Sequence, residues 1–129
     1  MLPFGLHSAV ERAVAGSSGS GIGCPNTGGT GNLVAVKLTA GSPLTGTVAW
    51  CATKTGLGSP MVTTTDGTGN AVVWAANNSL WGWDGDSGDL ISGGTNTALT
   101  SGIEGFNTPI SAHGKIVVST SGALSVLTL

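Results

Sequence analysis

Charge is what this chain has least of. Of its 129 residues 8% are charged, against about 25% in an average soluble domain. Arg12, Lys37, Lys54 and Lys115 are the basic residues, and the formal net charge is −2. Neutralising phosphates takes clustered Lys and Arg, so a nucleic-acid-binding reading is excluded. Tyrosine is absent and aromatic residues make up 5% of the chain. No stretch reaches the roughly 20 consecutive apolar residues that a membrane-spanning helix needs. Residues 1–14 do not read as a signal peptide either, because Glu11 and Arg12 interrupt them and no long apolar region is present.

Cysteine is scarce as well. Cys24 and Cys51 fit no zinc pattern, and a structural zinc would need two further ligands. Paired with each other they would close a loop of about 26 residues, worth about 3 kcal/mol. The alternative is two free thiols in a reducing compartment. The composition favours the disulfide, and with it a periplasmic or extracellular location.

What is abundant is glycine, 23 residues, together with Ser, Thr and Val. Few charges with many small and β-branched residues point to short strands and tight turns, an all-β fold. Within residues 4–14 the i, i+4, i+8 spacing of Leu6, Val10 and Val14 predicts one short helix. Residues 15–32 are Gly, Ser, Thr and Asn with little to bury and read as a flexible linker, so 1–32 is an N-terminal segment. From Leu33 to Leu129 β-prone runs recur between Gly- and Asn-rich breaks: 33–38, 47–53, 60–64, 71–76, 80–84, 109–112, 116–120 and 124–129. Each has ordinary strand length. Asn77-Asn78 and Ser121-Gly122 have the spacing of tight hairpin turns.

These runs repeat. Leu33, Leu80 and Leu124 open LVAVK, LWGWD and LSVLT and lie 47 and 44 residues apart. Ser59-Pro60-Met61-Val62 matches Thr108-Pro109-Ile110-Ser111 at 49 residues. Gly69-Asn70-Ala71-Val72-Val73 matches Gly114-Lys115-Ile116-Val117-Val118 at 45. A period in the mid-forties with about four short strands per unit is that of a β-propeller blade. The stretch Leu80–Gly93 is then a third strand, a corner and the start of a fourth strand.

The corner, Gly82-Trp83-Asp84-Gly85-Asp86-Ser87-Gly88, resembles the repeat motif of quinoprotein-like (PQQ-like) β-propellers. There a small residue, any residue and Asp end the third strand, Thr or Ser then Gly follow, and a Trp stands on the next strand. Gly82, Asp84, Ser87 and Gly88 fit, and Ser92 occupies the Trp position. In the first repeat Ala35 and Trp50 fit, with Lys37 at the Asp position. The resemblance covers residues 33–129. It implies a partial propeller of antiparallel four-stranded blades whose partners are further blades or another protein. Some relatives are dehydrogenases that bind pyrroloquinoline quinone with calcium, through a Trp platform, an Asp base and a vicinal cysteine pair. Neither Asp66 nor Glu104 is marked as a base here, and Cys24 and Cys51 are far apart in sequence. The expectation is therefore a non-catalytic, cofactor-free scaffold or interaction fragment that self-associates. The alternative is the C-terminal piece of a quinoprotein dehydrogenase.

Sharper readings of the same corner fail on its residues. A protease serine at Ser87 needs a His base and an orienting Asp, and His7 and His113 are the available imidazoles. His113 falls in an expected hairpin turn. An EF-hand counted from Asp84 puts Gly88 at position 5, Asp89 at 6 and Thr95 at 12, so the frame breaks. A calcium site of another kind would use Asp84, Asp86 and Asp89. The turn reading instead has Asp84 accepting backbone N–H groups and Gly88 supplying a positive φ. Gly28-Gly29-Thr30-Gly31 lacks the Lys-Ser/Thr of a phosphate loop. Asn77-Asn78-Ser79 has the form of a glycosylation sequon but sits where a turn is expected.

Overall fold

The computed structural model describes residues 7–11, 24–25, 31–53, 58–65, 69–93, 99, 103 and 107–128. The described residues form ten strands in three antiparallel sheets, and no helix. β1 (His7–Glu11), β2 (Leu33–Thr39) and β3 (Thr45–Ala52) make the first sheet. β4 (Met61–Thr63), β5 (Val72–Ala76), β6 (Leu80–Asp84) and β7 (Leu90–Ser92) make the second, in sequence order. β8 (Ile110–Ala112), β9 (Lys115–Thr120) and β10 (Ala123–Thr128) make the third.

Each of the eight expected runs holds a strand, with residue 129 of the last run outside the described residues. The helix expected within residues 4–14 is not found: residues 7–11 are β1, paired antiparallel with β2 from His7↔Lys37 to Glu11↔Leu33. The apolar spacing there spans only two helical turns, too short to hold a helix in water, whereas β2 offers an edge whose backbone groups need partners. Residues 4–6 and 12–14 lie outside the described residues. So does most of the stretch read as linker, but Cys24 and Gly31 do not. Cys24 is bonded to Cys51 with Cα atoms 5.5 Å apart. Gly31 lies so near β3 that a Cβ would come within 2.8 Å of the Cys51 Cβ.

The turns follow from residue type. His113-Gly114 joins β8 to β9 with both φ values positive, 50° and 71°, the geometry of a two-residue type I′ hairpin turn. Ser121-Gly122 joins β9 to β10, with Thr120 opposite Ala123.

Alternation along the strands then decides how the sheets stack. Leu33, Ala35, Trp50 and Ala52 of the first sheet pack against Val73, Ala75 and Trp83 of the second. The opposite face of the second sheet, with Trp74, Ala76 and Leu80, packs against Ile116 and Val118 of the third. The second sheet is thus buried on both faces, which is why β5 reads as a continuous apolar run, Val72 to Ala76. On the remaining face of the first sheet Cys24, Val34 and Cys51 form a third buried cluster, with Val36 and Val48 partly buried against it.

The sheets also repeat in detail. The pairing of β2 with β3 shifts register between Ala35 and Val36, and that of β6 with β7 between Gly82 and Trp83. Both irregularities follow the second residue after the repeat leucine, Leu33 or Leu80. Leu33 and Leu80 each face the sheet that follows their own and are 0% and 1% exposed. Leu124 lies opposite Ser119, on the face away from Ile116 and Val118, and is 71% exposed. The segments leading into β4 and β8 lie side by side, with the Ser59 N–H donating to the Asn107 carbonyl at 3.0 Å.

Candidate functional site

Two places carry the residues singled out in the sequence: the corner after β6 and the gap between the second and third sheets. At the corner, the Asp84 Oδ1 accepts the backbone N–H groups of Asp86, at 3.0 Å, and Ser87, at 2.8 Å. The Gly88 N–H closes the turn onto the Asp84 carbonyl at 2.9 Å, and Gly88 has φ +77°. The Asp84 N–H in turn donates to the Asp89 carbonyl at 2.8 Å. The Ser87 hydroxyl donates to Asp89 Oδ2 at 2.9 Å and accepts the Asp89 N–H at 3.2 Å. The Ser87 N–H is the main reason the Asp84 carboxyl sits below its ordinary range. Partial burial works against this, and the Asp86 N–H and Ser87 hydroxyl add to it.

This geometry assigns the polar atoms of the corner to the turn. A nucleophilic serine needs its hydroxyl against a general base held in a catalytic array, whereas here both hydroxyl hydrogen bonds go to Asp89, two residues along the same turn. Among the described residues no group of three His, Cys, Asp or Glu side chains converges as metal ligands. Asp84, Asp86 and Asp89 are therefore not brought together as a calcium site. Asp66 and Glu104 lie outside the described residues, as do Gly28 to Thr30. The sequon residues Asn77 to Ser79 form the loop between β5 and β6, with the Asn77 N–H donating to the Ser79 carbonyl at 3.0 Å.

The corner is also a docking point between sheets. The Trp50 indole N–H reaches from β3 to the Gly85 carbonyl at 2.7 Å, in a buried hydrogen bond. Its ring lies against Gly88, where an added Cβ would come within 2.7 Å of Cδ2. Trp50 pairs with Ala35, so the large side chain stands beside a small one and fills the space toward the second sheet.

At the next interface the large residue has moved. Ser92 pairs with Gly82, as Trp50 pairs with Ala35. Trp74, on the other side of Gly82, covers it instead: a Cβ on Gly82 would lie 2.6 Å from the Trp74 ring. The Trp74 indole N–H donates to Thr63 Oγ1 at 2.8 Å. A groove of about 730 Å³ remains, with Ser92 and Trp74 among its lining residues. Thr64, Asn70, Ser111 and Thr128 give it a neutral, hydroxyl-rich rim. The sequence identified Gly82 and Ser92 as paired motif positions, but not Trp74 as the residue that covers the glycine. Its alternation with Val73 was the available signal.

No family model, curated protein or solved structure matches the chain.

Proposed function

We propose that residues 33–128 are successive blades of a β-propeller of the quinoprotein-like repeat type. They serve as a non-catalytic scaffold or protein-interaction element in a periplasmic or extracellular protein. The observation that carries this reading is the register shift that recurs at the same offset from Leu33 and from Leu80. A bulge is a specific feature of a strand pair, so its recurrence at equivalent positions supports a repeated unit. The order of strands supports it too. The second sheet contains all four blade strands, the first has the equivalents of the last three, and the third those of the first three. The extracytoplasmic setting rests on the Cys24–Cys51 bond, since such bonds persist mainly outside reducing compartments.

What supports a non-catalytic reading is the way the polar atoms of the corner are used. The corner residues that resemble a catalytic or metal loop hold a turn and receive Trp50. The test is reconstitution of the full chain with pyrroloquinoline quinone and calcium. The expected result is that all quinone absorbance separates from the protein on gel filtration. Absorbance that travels with the protein would move the reading to part of a quinoprotein dehydrogenase.

A further inference from the structure

We propose that the groove between the second and third sheets binds a neutral aromatic ring, indole-like in size, seated beside Ser92. The proposal rests on the blade reading and adds a site and the chemical class of its ligand. Its starting point is a ring that one interface holds and the next does not. At the first interface Trp50, paired with Ala35, donates its indole N–H to the Gly85 carbonyl across 2.7 Å and lies against Gly88. Ser92, paired with Gly82, holds the same place at the second interface. A hydroxymethyl group does not reach across as an indole does, and Ser92 lines a groove of about 730 Å³. That volume falls within the roughly 300–1,000 Å³ of small-molecule sites. Trp74 does not take this place, because it stands on β5 and covers Gly82 from the other side.

The lining selects a neutral, largely apolar guest. Trp74 and Leu80, 6% and 1% exposed, supply a buried floor from the second sheet, and Leu127 packs against them from the third. The Trp74 indole N–H is committed to Thr63 Oγ1 at 2.8 Å, so what it offers a guest is ring carbon. An aromatic guest gains ring–ring contact there beyond its buried area. The polar lining is neutral, with Asn70, Ser92 and Ser111 part of it, and among the described residues no charged side chain belongs to it. Lys115 stands outside the lining and donates to the Thr128 hydroxyl at 3.2 Å. An anion in the groove would lose hydration without meeting a cation in its walls. A ring N–H is met by the hydroxyls of Ser92 and Ser111, each able to accept.

Further chain after β10 would leave this place beside Ser92. At the first interface the ring comes from β3, and the corner after β6 only receives it. On the blade reading a corner after β10 is the equivalent receiving wall. It would bound the groove at its β10 end, where Leu127 and Thr128 lie.

The test is isothermal titration calorimetry of the full oxidised chain with skatole, the tryptophan side chain as a free molecule. One saturable site is expected. Binding should weaken by about tenfold or more in Ser92→Trp, which fills the groove with its own ring, and in Ser111→Phe, which fills it from the third sheet. Both variants should keep the wild-type far-ultraviolet circular dichroism. Indoleacetate, a similar ring carrying a carboxylate, should bind about tenfold more weakly than skatole. Absence of saturable skatole binding overturns the proposal, as does binding that survives both substitutions. Indoleacetate binding as tight as skatole overturns it as well, because the site would then read charge. The thermal midpoint of Ser92→Trp without ligand separates this proposal from the blade reading beneath it. A midpoint at or above that of the wild type, with no skatole bound by the wild type, means that only the binding site fails. A lowered midpoint means that Ser92 is not the equivalent of Trp50, and the blade reading fails with the site.

Discussion

Trp50 in the first sheet donates its indole N–H to the carbonyl of Gly85, at the corner of the second, across 2.7 Å. That bond ties the end of one sheet to the turn of the next, and the ring that makes it rests on Gly88. Gly88 is constrained twice, by φ +77° and by the Trp50 ring 2.7 Å from an added Cβ. Gly114 shares the backbone constraint, φ +71°, with nothing within 4 Å of an added Cβ. Gly114→Ala should cost about 1 kcal/mol for the left-handed backbone alone. Gly88→Ala should cost about 3 kcal/mol, since the ring must also move. Urea denaturation of both variants checks this, and equal losses would mean that Trp50 does not press on the corner.

The Asp84 carboxylate should make stability depend on acid. Its folded pKa lies below the ordinary 3.8, chiefly through the Ser87 N–H. The stabilisation is therefore present above pH 3.8 and is lost as pH falls through the lowered folded value. Asp84→Asn keeps an acceptor oxygen without titrating, so its stability curve should be flatter than the wild type's in that acid range. Asp84→Ala removes the acceptor and should cost on the order of 1 kcal/mol at neutral pH. Melts from about pH 2 to about pH 7 provide the comparison.

Trp74 and Ser92 flank Gly82 as alternative suppliers of one large ring. Trp74→Ala should destabilise by about 3–5 kcal/mol, the usual range for emptying such a site. Adding Ser92→Trp should recover part of that loss, by restoring at the second interface the arrangement that Trp50 makes at the first. A double-mutant cycle in urea reads the coupling. No recovery in the double variant would show that the two interfaces are not built on equivalent positions.

Breaking the Cys24–Cys51 bond should cost about 3 kcal/mol, the loop-closure value for a separation of 27 residues. Serine at both positions should lower the thermal midpoint, and reductant should then have no further effect. Reductant should lower the wild-type midpoint toward that of the variant. A wild-type midpoint indifferent to reductant would show that the bond does not brace the first sheet.

Much of the fold was legible because alternation and turn residues are local signals. The LWGWD run announced β6, and Ser121-Gly122 marked a hairpin from the spacing of the runs on either side. β1 was hidden because its partner, β2, begins 22 residues beyond Glu11, and nothing local distinguishes a short edge strand from a short helix. The corner offered three chemistries in one string. Only geometry shows Ser87 bonded to Asp89 and Asp84 occupied with backbone N–H groups. The partnership of Trp74 with Gly82 is equally non-local, since it depends on the register between β5 and β6.

The stack has unlike ends, a cystine-bearing face on the first sheet and a bare one on the third. That polarity gives the architecture a growing tip. A duplicated unit of similar length inserted after β10 would find Leu124 waiting beneath it. The same unit placed ahead of β1 would first have to displace the bridge.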